Sequence, residues 1–198
     1  MLIKVYTLAF LGMLYIVSLP AQCPHNDSLW NRISFLSNAP GISPAGRLRE
    51  LLALEPGIKQ CGSDTTQALL FHKIGSLYFK VSNYIRAIQY IRQSIAITST
   101  TGKTDLEQGK LLIKKYYDLS RIYDSLHDGR KRLAALDSIA AIGYRINETD
   151  VYYLFALYAR VQYYFDVGDY NRCISYAGFC EKKGQEYADR NPYDEYDT

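Results

Sequence analysis

Apolar residues recur three and four positions apart in helix-length blocks along this chain, and short runs of Gly, Pro, Ser, Asn and Asp separate the blocks. No block alternates apolar and polar positions over a length that would build a sheet, so the periodicity predicts an all-α protein. A first helix starts at Asp27 or Ser28 and carries Leu29, Trp30, Ile33 and Leu36 on one face, and the NAPGISP segment (38–44) ends it. Ser43 then serves as N-cap with Pro44 at the first helical position, and Leu48, Leu51 and Leu52 form a stripe before Pro56 closes the second helix.

The next pair carries Leu70, Phe71, Ile74, Leu77 and Tyr78 on one helix and Tyr84, Ala87, Ile88, Ile91 and Ile95 on the other, with VSN (81–83) turning between them. A third pair sets Leu112, Tyr116, Leu119 and Tyr123 against Leu133, Leu136 and Ala140 across LHDG (126–129). A fourth sets Leu154, Leu157, Val161, Tyr164 and Phe165 against Tyr170, Cys173, Ile174 and Ala177 across VGD (167–169). The expectation is about four helical hairpins. Within the second, Gly75 stands inside one apolar stripe and Ala87 inside the next. A helix-interior glycine costs about 1 kcal/mol relative to alanine, so its missing side chain should be what lets two helices cross closely.

Hairpins with small and large residues at these fixed offsets resemble tetratricopeptide repeats, 34-residue helix-turn-helix units that stack into right-handed solenoids. The resemblance rests on Phe71, Ile74, Gly75, Tyr78, Ala87, Ile91 and Ser94, with Ser99 where the family has proline. It covers residues 63–188, in copies at about 68–101, 113–146 and 154–187. The later copies depart from the pattern: Arg132 occupies a position that is alanine in the family, and Arg160 and Val161 fit poorly. Successive copies start 45 and 41 residues apart, which requires longer helices or connectors. Residues 22–62 have the size of a hairpin without the signature and would act as an N-terminal cap.

The resemblance also implies a function. Such arrays hold an extended peptide or a helix on their concave side, without catalysis. Carried onto this chain, the concave positions include His72, Phe79, Lys80, Lys114, Tyr117, Arg121, Tyr158 and Gln162. Lys80, Lys114 and Arg121 would meet carboxylates of an acidic segment while Tyr117 and Tyr158 pack its apolar groups. The alternative is that these repeats form the sensing front of a longer multidomain signalling or protease-like protein.

Composition narrows the choices. A net charge of +3 with only brief basic clusters argues against nucleic acid as the partner. Nineteen tyrosines against seven phenylalanines suit half-buried positions, where a ring packs and its hydroxyl stays wet. Lys4, the apolar run that follows it, then Pro20 and Ala21 have the layout of a secretory signal (1–21), with cleavage after Ala21 and an exported, periplasmic or extracellular mature chain that has no membrane span. An uncleaved anchor, or a lipoprotein acylated at Cys23, are the other readings. Export permits a disulfide between Cys23 and Cys61, which flank the first hairpin. Cys173 and Cys180, two helical turns or about 10.5 Å apart, are too distant to pair and read as buried small residues. The polar, acidic stretch 189–198 reads as a disordered tail.

No catalytic or cofactor motif stands out. His25, His72 and His127 are scattered, no metal-ligand spacing or phosphate loop occurs, and Asp64 and Glu107 suit helix N-termini. The sequence therefore points to a non-enzymatic interaction scaffold without cofactor.

Overall fold

The computed structural model describes residues 26–102, 104–146 and 151–191. The proposed signal (1–21), Cys23 and residues 192–198 lie outside the described residues. Those described form eight α-helices and no strand: α1 (Asn26–Asn38), α2 (Pro44–Cys61), α3 (Asp64–Lys80), α4 (Tyr84–Thr100), α5 (Asp105–Ser125), α6 (Gly129–Ile146), α7 (Val151–Asp166) and α8 (Tyr170–Arg190). The protein is all-α.

Short polar side chains start most of these helices by taking up backbone N–H groups that have no partner within the helix. Ser43 accepts from Gly46 N at 3.1 Å with Pro44 behind it. Ser63, Asn83 and Asp169 do the same for α3, α4 and α8. Thr104 accepts from Glu107 N while its hydroxyl donates to the Glu107 carboxylate at 3.0 Å, which caps the start of α5. Asp64 likewise lies in the first turn of its helix.

Consecutive helices pack throughout, and so do α1 with α3, α3 with α5 and α5 with α7. Among the described residues no helix touches another more than two places away along the chain. The core follows this order. Leu29, Ile33, Leu51, Ile58, Leu70 and Ile74 join α1, α2 and α3; Ala87, Ile91, Leu119 and Ile122 join α4 to α5; Ile113, Leu136, Ile139, Tyr153 and Leu157 join α5, α6 and α7. At the crossing of α3 and α4, a Cβ on Gly75 would come within 2.6 Å of Ile91 Cγ1 and 3.2 Å of the Ala87 carbonyl oxygen. The glycine removes that clash, and Ala87 is fully buried opposite it.

One turn is built three times. Val81, Leu126 and Val167 each donate N–H to the carbonyl four residues back, at 3.1 Å in all three. The next residues, Ser82, His127 and Gly168, have φ of 60°, 53° and 75°. Asn83, Asp128 and Asp169 then donate N–H to the carbonyl five residues back at 2.9 Å, and each side chain accepts from the N–H three residues on. These turns recur at the 45- and 41-residue spacings expected from the sequence.

Several expectations are corrected. Pro56 does not end α2, which continues to Cys61: the ring lies on the exposed side, and Ile58 beyond it is buried in the first core cluster. Anchoring Ile58 outweighs the hydrogen bond that proline removes. The stripe on α8 is not buried. Tyr170, Ile174 and Ala177 are exposed, as is Phe165 on α7, because nothing among the described residues packs on that side. Cys173 and Cys180 are free thiols, as their spacing required, but half-buried. Residues 189 and 190, assigned to the tail, close α8.

The arginines that depart from the repeat pattern have structural work. Arg132 reaches Asp124 of α5 at 2.8 Å and donates to the Ala159 carbonyl of α7 at 3.2 Å. Buried contact on α6 is carried further along, by Ala135, Leu136, Ile139 and Gly143. Arg160 pairs with Asp137 of α6 at 2.7 Å and lies 4.4 Å over the Tyr176 ring of α8.

Candidate binding groove

The odd-numbered helices present a row of side chains that line two adjoining cavities. The larger, about 380 Å³, is bordered by Ser76, Phe79 and the cations Lys73, Lys80, Lys114 and Arg121. The other, about 260 Å³, is bordered by Tyr117, Arg121, Phe155, Tyr158 and Gln162. Arg121 lines both, so the two adjoin at this side chain and follow one another from α3 across α5 to α7. A third cavity of about 200 Å³, with Trp30, Leu69 and Leu111 in its wall, shares Lys73 and Lys114 with the first.

Helical spacing explains the row on α5: Lys114, Asp118 and Arg121 stand four and three positions apart and share a face. Arg121 lies 5.4 Å from the Phe79 ring and 6.0 Å from that of Tyr117, and Lys114 lies 5.0 Å over Tyr152. Tyr117, Tyr152 and Phe155 form a cluster with centroids 5.9 to 6.5 Å apart. Rings therefore orient the cations, an arrangement that favours anions presented next to apolar groups.

His72 differs from its expected role as an open contact. It is buried, 6% exposed, and its Nε2 lies 2.7 Å from Asp118 Oδ2, which also accepts from Ser76 Oγ at 3.3 Å. Burial holds the imidazole below its ordinary 6.5, aided by Lys115 and Lys114 and opposed by Asp118. Burial would raise Asp118, but the hydrogen bond from His72, the Arg121 charge and the Ser76 hydroxyl, with the His72 charge added whenever the ring is protonated, hold it below the usual carboxylate range. The pair is then an ionised carboxylate accepting from a neutral imidazole whose proton sits on Nε2. Lys73 is also lowered, by burial first and then by Lys114 and Lys80. Among the described residues four cations thus share a cavity with one carboxylate, Asp118, which already has donors.

All eight expected groove residues line one or the other of the two cavities, His72 from within the protein and Tyr158, 65% exposed, at the surface. Gln162 donates to Asp166 at 2.8 Å. Lys73 and Asp118 were not foreseen. The four-residue step from Lys114 to Asp118 was visible in the sequence, but its partner lies 46 residues away and no local pattern encodes that contact. Among the described residues no three of His, Cys, Asp and Glu stand close enough to hold a metal ion, and no helix is long and apolar enough to cross a membrane.

No family model matches the chain, and a search of curated proteins finds no match either.

Proposed function

We propose that the protein is an exported, non-catalytic scaffold built as a tetratricopeptide-like right-handed solenoid, which holds an extended acidic segment of another protein along the groove on α3, α5 and α7. Contacts confined to near neighbours, and a turn repeated at 45 and 41 residues, support the solenoid reading. The observation that carries the binding reading is the joining of the two cavities at Arg121, with Lys73, Lys80 and Lys114 on one side and Tyr117, Phe155 and Tyr158 on the other. Carboxylates of the bound segment pair with the cations, and its apolar side chains lie on the rings. The proposed disulfide between Cys23 and Cys61 would tie the start of the mature chain to the end of α2.

The test is fluorescence anisotropy with synthetic acidic peptides that alternate Asp or Glu with Leu or Tyr. Lys114→Glu together with Arg121→Glu is expected to weaken binding at least about tenfold with little change in melting temperature, since neither residue is in the core. Equal affinity in the double variant would remove the groove from the account.

A further inference from the structure

Residues 78–90 and 164–176 correspond at a constant offset of 86, and the agreement extends beyond the backbone turn. Tyr78, Phe79, Val81, Tyr84, Arg86, Ile88 and Tyr90 have identical counterparts in Tyr164, Phe165, Val167, Tyr170, Arg172, Ile174 and Tyr176. Tyr78 stacks on Tyr90 with centroids 5.6 Å apart, and Tyr164 stacks on Tyr176 at 5.3 Å. Phe79 meets Tyr84 at 6.0 Å, and Phe165 meets Tyr170 at 6.1 Å. The start of α8 is thus a second copy of the start of α4.

The two copies differ in what covers them. Tyr84 and Ile88 are half-buried against the cluster that α5 completes with Leu112, Leu119, Ile122 and Tyr123. Their counterparts Tyr170 and Ile174 are 60% and 73% exposed, and α8 has no buried residue at all. A tyrosine and an isoleucine one helical turn apart, presented as on α4 but bare, make a face whose complement is seen elsewhere in the same molecule.

We propose that this face of α8 receives an amphipathic helix from a partner protein, one offering a leucine, isoleucine and tyrosine stripe spaced as on α5. A second copy of this chain is the poorer occupant, because its own stripe of that kind is already buried between α4 and α6: Leu112, Leu119 and Ile122 are each 6% exposed or less. The proposal stands on the correspondence of α4 with α8 and does not depend on the groove.

A fluorescein-labelled peptide of residues 105–125 is the probe, titrated with the full chain. Saturable binding is expected, weakened at least about tenfold by Ile174→Asp or Tyr170→Lys, since either sets a charge against an apolar stripe. Ile85→Asp, at an isoleucine on α4 of the same 73% exposure, should leave it unchanged. A peptide carrying Leu119→Asp and Ile122→Asp should not bind. Because Tyr170 and Ile174 are exposed, their variants should fold, which circular dichroism checks. No binding, or binding indifferent to Ile174→Asp, overturns the proposal. So does concentration-dependent dimerisation of the chain that Ile174→Asp abolishes, which would assign the face to a second copy.

Discussion

At Gly75, backbone propensity and packing pull in opposite directions. Alanine there would gain about 1 kcal/mol of helix propensity, but its methyl would meet Ile91 and the Ala87 carbonyl at distances that force the helices apart. Overpacking of this kind costs about 1–3 kcal/mol, so Gly75→Ala should lower the urea midpoint, and a rise would mean the crossing has room. His72 and Asp118 give stability a pH dependence of one sign. Below its ordinary 6.5 the unfolded histidine takes up a proton that the buried imidazole resists, so stability falls as pH drops through that region. Asp118, held low in the fold, contributes stability above the ordinary carboxylate range that is lost only as pH falls through its folded value. Melting temperatures at about pH 7.5 and 5.5 should therefore differ more for the native chain than for His72→Gln, which cannot titrate. An equal drop in both would assign the acid sensitivity to other groups.

Helices are the level at which the sequence was most legible. Period-3.6 stripes, Ser43 before Pro44, and the VSN, LHDG and VGD turns located the helices, apart from the end of the second, because those signals are local. Pro56 misled because proline's local penalty was weighed without the burial of Ile58 beyond it. The α8 stripe misled because periodicity reports which residues share a face and not whether anything covers it. Contacts between near neighbours also make a prediction for this level. Deleting residues 150–198 removes Tyr153, Ala156 and Leu157 from the third core cluster and leaves the first two intact. Residues 23–146 of the remaining chain should keep their helical circular dichroism and melt at a lower temperature. Complete loss of helicity would instead indicate a single closed bundle.

For the whole molecule, a net charge of +3 gave little guidance, since it averages over a surface on which cations are unevenly spread. Folding gathers Lys73, Lys80, Lys114 and Arg121 from two helices around one cavity. Attraction for the acidic peptides of the binding assay should accordingly weaken as salt rises past physiological strength, where exposed charges are screened over about 8 Å. Affinity independent of salt would shift the weight to the rings around Tyr117 and Phe155. The bare face of α8 has the opposite chemistry, and its peptide binding should depend little on salt.

Local chemistry in the sequence determined the helical class, the caps, the turns and the close crossing at Gly75, since each depends on residues a few positions apart or on a glycine whose purpose is steric. The tertiary structure decided the pairing of His72 with Asp118, the bridges from Arg132 and Arg160, the meeting of the two cavities at Arg121 and the exposure of Tyr170 and Ile174. Each of these joins or separates residues on different helices, and that depends on how the helices stack, which no short-range pattern of side chains specifies.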